Sequence, residues 1–321
     1  MAITVVVLDD TQGVVAGLQA ARRLDGLPAR LVVHTERLMG EDALIAGLQD
    51  ADVGVLIRER SRLSARVLAG LPRLRLVVQT GRLAGAVDLA AAEAQGIQVL
   101  DGGGSPVAPA ELTIALILAA RRRLVAYAQR LQEGCWQRTH ADLGQEALGV
   151  SVAGRTLGVW GLGRIGQRVA RVGQALGMSV LVHGRAGSRA VSETAGYTFV
   201  TDRFDFLSGS DILSLHLKLT PETRGLLGPT ELAAMKPDSL LVNTSRAELL
   251  APGALLAALA QGRPGGAALD VYEDEPDGAA PYLGHPRILC TPHLGFVERD
   301  TYELYFDTAF RQVAEWIAAW G

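Results

Sequence analysis

The strongest constraint on this chain is an alternation of short apolar runs with alanine-rich helical stretches. Residues 3–8, 31–34, 53–57, 76–79 and 98–100 read as buried strands, with helical patterns at 14–24, 41–48, 64–69 and 89–95. Strands that are apolar on both faces and separated by helices belong in a parallel sheet covered on both sides. The glycine-rich stretch 101–106 interrupts the series as a loop or hinge. A helix then opens near Pro109. Its first half is apolar on nearly every side, which predicts burial within its own chain or against a second subunit. A second series follows, with strands at 156–160, 179–183, 197–200, 212–217, 240–243, 266–269 and 288–290 and helices at 165–176, 230–234 and 252–261. The expectation is an α/β fold of two doubly wound parallel-sheet domains with a cleft between them.

Composition narrows the function classes. Thirty-one basic against 34 acidic side chains leave a net charge of -3, which gives no electrostatic case for a nucleic-acid or membrane-surface partner. Two cysteines, Cys135 and Cys290, exclude a disulfide framework and a four-cysteine zinc site. The remaining histidines, His34, His140, His183 and His285, have no metal-site spacing, so no metal is expected. The apolar run at 114–120 is far short of a bilayer span, and the N-terminus lacks the pattern of a signal peptide. A cytoplasmic protein is the expectation.

The segment from Thr156 to Gly166 contains G-x-G-x-x-G between an apolar strand and a helix, the context that a dinucleotide turn requires. Gly161 permits the tight turn, Gly163 the approach of a pyrophosphate, and Gly166 close helix–sheet packing. Arg164 and Ile165 open the helix, whose free N–H groups and dipole attract phosphate. The next strand ends in Gly184 and Arg185 where an NAD site would offer a carboxylate to the ribose. Arg185, with Ser188 and Arg189 nearby, suits a 2′-phosphate instead, so NADP(H) is favoured and NAD(H) remains possible. The competing reading makes Arg185 a solvated surface residue.

Three more segments each put a polar group just past an apolar strand. They are Asn243-Thr-Ser-Arg246, Asp270-Val-Tyr-Glu-Asp-Glu275-Pro276 and Pro292-His293-Leu-Gly295. A histidine titrates near neutrality and can carry a proton, a carboxylate can orient it, and an arginine fork can bind a carboxylate and a carbonyl. His293, Glu275 and Arg246 are assigned these catalytic roles as a set; taken singly, the histidine reads equally as structural, Glu275 as a turn cap and Arg246 as a surface ion-pair residue.

In this order the motifs resemble the D-isomer-specific 2-hydroxyacid dehydrogenase family, which includes phosphoglycerate dehydrogenases and glyoxylate/hydroxypyruvate reductases. The resemblance covers essentially the whole chain. It implies two Rossmann-like domains, a substrate-binding domain over 1–104 completed by 294–321 and a dinucleotide-binding domain over 105–293. It implies a homodimer and hydride transfer between a nicotinamide cofactor and a 2-keto or D-2-hydroxy acid. It places Asp270 near the nicotinamide carboxamide and counts Thr244 and Gly295 with the cofactor set. His216 lines the nicotinamide pocket or is a satisfied core histidine. In the first domain, Thr80 and Gly81 match a loop whose backbone N–H groups meet the substrate carboxylate. Arg82 and Arg58 bind a further acidic group or are solvated. The aromatic run around Tyr302, Tyr305 and Phe306 narrows the site or packs a final helix. The alternatives are a phosphoglycerate dehydrogenase and a non-catalytic NAD(P)-sensing regulatory protein of the same fold.

Overall fold

The computed structural model describes residues 2–83, 85–137 and 148–320, and His140 lies outside them. The chain divides into two compact units, Met1–Ser105 with Glu298–Gly321 and Pro106–Val297. Residues 294–297, expected with the first unit, therefore belong to the second. The cause is local, because the N–H groups of Leu294 and Gly295 donate to the carboxylate of Asp270 at 2.7 and 2.9 Å.

The first unit is a five-stranded parallel sheet of β1 (Ile3–Val7), β2 (Ala29–Val33), β3 (Val53–Leu56), β4 (Leu76–Gln79) and β5 (Gln98–Asp101). Its order is β2-β1-β3-β4-β5, so the winding reverses between β1 and β3. Helices α1 (Glu41–Leu48), α2 (Ala65–Ala69) and α3 (Leu89–Ala94) connect the strands. Ser64 caps α2 by accepting the Val67 N–H, and Asp88 caps α3 by accepting the Ala91 N–H. The second chain segment returns as the long helix α11 (Arg299–Trp320), which buries Tyr302, Tyr305, Phe306, Phe310 and Val313. The aromatic run thus packs a final helix.

The expected helix over 14–24 is instead two short 3-10 helices, Val15–Gly17 and Gln19–Leu24. Carboxylates from outside the segment take its N–H groups. Asp10 accepts from Val15 at 2.8 Å, and Glu303 of α11 accepts from Gln19 and Ala20 at 2.9 and 3.0 Å.

The second unit is a seven-stranded parallel sheet of β6 (Thr156–Trp160), β7 (Ser179–His183), β8 (Thr198–Phe199), β9 (Ile212–Leu215), β10 (Leu240–Asn243), β11 (Gly266–Leu269) and β12 (Ile288–Cys290). The order β12-β11-β10-β9-β6-β7-β8 puts the reversal of winding between β6 and β9. Helix α4 (Val107–Arg121) buries Ala110, Thr113, Leu116 and Ile117 against α6 (Arg164–Ala175) and strands β10 to β12. The burial predicted for this helix is met in its own unit. Helix α5 (Leu124–Gln132) buries none of its side chains. Helices α7 (Ala186–Ala195), α8 (Arg203–Gly209), α9 (Pro229–Ala233) and α10 (Ala254–Ala260) complete the layers. No helix among the described residues is long and apolar enough to cross a membrane.

Candidate active site

Strand register gathers the candidate residues of the second unit into one row. His183, Trp160, Leu215, Asn243, Leu269 and Cys290 pair across six neighbouring strands and end them together. The next residues are Gly184, Gly161, His216, Thr244, Asp270 and Thr291. In a doubly wound sheet, ligands sit beyond the carboxyl ends of the strands, at the reversal of winding. Gly161 and His216 flank that reversal.

The dinucleotide turn is shaped by backbone contacts. Gly161 has φ +99°, and a Cβ there would lie 2.6 Å from the His216 carbonyl oxygen. A Cβ at Gly166 would lie 2.2 Å from the Gly161 carbonyl, so the helix starts hard against the turn. A Cβ at Gly163 would meet no atom of the chain within 4 Å. Gly163 is the N-cap of α6 and supplies no side-chain cap, which leaves the first N–H groups of Arg164 and Ile165 open to an anion.

At the far side of the row, His293 Nδ1 lies 2.7 Å from Glu275 Oε2. Glu275 Oε1 accepts the Tyr272 backbone N–H at 3.0 Å, so both carboxylate oxygens are held. The carboxylate fixes the imidazole tautomer, with Nδ1 as donor, and frees Nε2. The side chains of His293 and Glu275 remain 27% and 29% exposed, which keeps them reachable by a small molecule. The backbone of His293 has φ +52°. Its turn is pinned by its own N–H on the Thr291 carbonyl, at 3.0 Å, and by Asp270.

Asp270 is fully buried. It accepts the Thr291 hydroxyl at 2.7 Å as well as the Leu294 and Gly295 N–H groups. Burial pushes its carboxyl above the usual range, opposed by these donors and by the charge of His293. The carboxylate is thereby committed to the turn that carries His293. Gly295 serves the same turn, because a Cβ there would lie 3.3 Å from Asp270 Oδ2.

The other candidates divide. Arg246 is half-buried three residues beyond β10, its Nη1 donating to the Ser245 carbonyl at 2.7 Å. The Thr244 hydroxyl is 2.7 Å from that of Thr113, which itself donates to the Pro109 carbonyl, so Thr244 is tied to α4. His216 Nε2 is 2.9 Å from the Ser214 hydroxyl, and burial pushes the imidazole down to about 4. Ser214 had a signal in the sequence, since residues two apart on a strand share a face.

Arg185 is exposed and is the N-cap of α7. Its charge reaches Glu222, whose carboxyl is held low first by the Thr220 hydroxyl. Ser188 is close to the strand end, since a Cβ on Gly184 would lie 3.0 Å from its hydroxyl. Arg189, expected beside them, instead bonds Thr201 at 2.9 Å and stacks 4.7 Å from the Phe199 ring centroid. Cation–π attraction and a hydroxyl acceptor draw it toward β8.

In the first unit, Leu56, Gln79 and Asp101 form a similar row. Gly81 has φ +72°, and a Cβ on it would lie 2.1 Å from Arg58 Nη1. Only glycine lets that guanidinium lie on the loop. The Thr80 hydroxyl accepts the Arg58 N–H at 3.0 Å. Arg58 also faces Glu59 at 3.4 Å and the Tyr305 ring. Arg82 points away as an exposed side chain, and its carbonyl accepts from Gln79 at 2.9 Å.

These features define the class: an α/β oxidoreductase fold with a dinucleotide turn at its switch point. Residues 114–295 match the model of the D-isomer specific 2-hydroxyacid dehydrogenase, NAD binding domain. The glyoxylate reductase of Aeropyrum pernix is 40% identical over 243 residues, covering 75% of this chain and 72% of that protein. A D-3-phosphoglycerate dehydrogenase of Methanocaldococcus jannaschii is 34% identical over 256 residues, covering 79% of this chain and 48% of that protein. The chain thus spans about half the length of that relative. The crystal structure of a phosphoglycerate oxidoreductase from Vibrio cholerae superposes with a TM-score of 0.92 at 44% identity, covering 99% of this chain and 100% of that one. The chain belongs to the D-isomer specific 2-hydroxyacid dehydrogenase family, and its second unit carries the nicotinamide-cofactor domain.

Proposed function

We propose that this chain reduces a 2-keto acid to the D-2-hydroxy acid, with NADPH favoured over NADH. The observation that carries this reading is the 2.7 Å pairing of His293 with Glu275, on the loops that leave the same strand ends as the dinucleotide turn. The open N–H groups at the start of α6, and the free space over Gly163, fit a pyrophosphate. When bound, the nicotinamide cofactor supplies the hydride. The remaining chemistry belongs to the side chains. His293 Nε2 delivers a proton to the carbonyl oxygen as the alcohol forms. Glu275 stabilises the charged imidazole before that transfer and keeps its ring oriented. Arg246 binds the substrate carboxylate and polarises the carbonyl. His216 stays neutral near pH 7, so it adds no charge beside the nicotinamide.

Arg185 supports the NADPH preference, as an exposed guanidinium where a carboxylate would select NADH. The loop at Gly81, with Arg58 laid over it, offers the acid substrate a cation and the Gly81 backbone N–H, whereas the Thr80 N–H is spent on the Leu56 carbonyl at 2.9 Å. Arg82 is a weaker choice because its side chain points to solvent. A homodimer is supported by the apolar side of α5, where, among the described residues, Leu124, Val125 and Leu131 are exposed, with Trp136 just beyond. Sedimentation velocity of the wild type and of Leu131→Arg tests the dimer.

The test of the activity is oxidation of NADPH and NADH against glyoxylate, hydroxypyruvate, phenylpyruvate and phosphohydroxypyruvate. A clear rate with a plain keto acid is expected. A rate confined to phosphohydroxypyruvate would assign the phosphoglycerate dehydrogenase reading, with Arg58 as the phosphate cation. No rate in protein that binds a dinucleotide would favour the sensing role. In an active enzyme, His293→Ala should lower kcat by about 10²–10⁴-fold while cofactor affinity stays at the wild-type value. Near-normal turnover would remove His293 from the chemistry.

A further inference from the structure

We infer that Tyr272 is a positioning residue for the His293–Glu275 pair, an inference that rests on the function proposed above. The side chain is buried at the ends of two neighbouring strands. Its hydroxyl donates to the Leu269 carbonyl, at the end of β11, at 3.0 Å, and to the Thr291 carbonyl, just beyond β12, at 3.1 Å. One phenolic proton is thus shared between two strand ends. Its own backbone N–H donates to Glu275 Oε1. The Thr291 carbonyl that it grips is also the acceptor of the His293 N–H. Tyr272 therefore holds Glu275 by its main chain and the root of His293 by its side chain.

That grip has something to oppose. The backbone of His293 is in the left-handed region, which a side chain other than glycine keeps only where its neighbours over-determine it. Asp270 fixes the chain after His293, and Tyr272 fixes it before. Core packing accounts for the ring of Tyr272, which lies 6.0 Å from that of Tyr282, but it leaves the hydroxyl unexplained. Burial pushes the phenol's ionisation upward, so the hydroxyl remains a donor across the neutral range.

The test is Tyr272→Phe in the full-length protein. Its removal orphans neither carbonyl, since Leu269 keeps the Thr291 N–H at 2.9 Å and Thr291 keeps the His293 N–H at 3.0 Å. The fold should therefore survive. We expect kcat to fall about tenfold with KM within about twofold, because loosened geometry costs the chemical step more than binding. The proton between His293 and Glu275 should give a downfield imidazole N–H resonance, assigned by its loss in His293→Gln. In Tyr272→Phe it should broaden through faster exchange with water. Tyr282→Phe should change neither quantity. An unchanged kcat and resonance in Tyr272→Phe would overturn the inference. So would a variant that no longer melts cooperatively, since the hydroxyl would then hold the fold rather than the pair. If the wild type reduces no keto acid, the proposed function fails, and the resonance alone still decides whether Tyr272 positions the pair.

Discussion

At the scale of single residues, charge placement makes two predictions. Arg185 stands at the strand end with its guanidinium in solvent and a carboxylate, Glu222, within reach of its field. A bound 2′-phosphate would compete for that cation. Arg185→Ala should raise KM for NADPH by about tenfold, as loss of a charge-assisted bond does, and should leave KM for NADH nearly unchanged. Equal effects on the two cofactors, measured as initial rates, would mean the side chain is merely solvated. His216 gives the second prediction. Its folded-state value of about 4 lies below the ordinary 6.5. Between those limits the unfolded chain holds a proton that the folded chain excludes, so stability falls as pH falls through the window. The difference is at most about 3 kcal/mol from the size of the shift. His216→Asn removes the titration. Urea midpoints at pH 7 and pH 4.5 should therefore drop further in the wild type than in the variant. Parallel drops would show that other groups carry the acid sensitivity.

At the scale of elements, the glycines of the dinucleotide turn separate folding from binding. A methyl at Gly166 would run into the Gly161 carbonyl, and one at Gly163 would enter open space. Gly166→Ala should cost about 2–3 kcal/mol, as steric overpacking does. Gly163→Ala should keep the wild-type Tm and lose dinucleotide affinity. Calorimetry with a binding titration distinguishes the two, and a large Tm loss in Gly163→Ala would contradict the assignment of its free space to a ligand. The same elements show what was legible beforehand. Every strand named from an apolar run lies in one of the two sheets, and the central strands β3, β4, β9 and β10 are buried on both faces, as such runs require. The row of residues beyond the strands followed from that, since each candidate motif sits directly after its run. Helices were harder to read. Within α7 the buried side chain is Ser192, so no apolar stripe marked it. The 14–24 region failed as a helix because its N–H groups are taken by Asp10 and by Glu303, the latter 284 residues from Gln19. Periodicity within a segment carries no information about such partners. The partners of Thr244 and Arg189 were illegible for the same reason. Their hydroxyl and guanidinium find Thr113 and Phe199, whose nearness depends on how α4 and β8 pack.

At the scale of the whole molecule, the first unit is assembled from both ends of the chain and the second from its middle. The two should differ sharply in their dependence on α11. That helix gives the first unit Phe306, Phe310 and Val313, all fully buried. Glu303 caps the 3-10 helix at Gln19, and Gln312 donates to the Asp101 carbonyl at 3.0 Å at the end of β5. Burying one such apolar side chain contributes about 1.5–3 kcal/mol, so losing three removes an amount comparable to the whole stability of a small domain. The second unit draws its sheet and all its connecting helices from Pro106–Val297 and loses nothing of these. A chain truncated after Val297 should therefore lose the first unit and keep the second. Amide hydrogen exchange reads this directly. Protection in β3 and β4 should collapse, while β6, β9 and β10 stay protected and dinucleotide binding persists. Persistent protection of β3 and β4 would mean that the first sheet holds its core without α11. Loss of protection in β6 would mean that the second unit is not the independent cofactor-binding body that its own contacts describe.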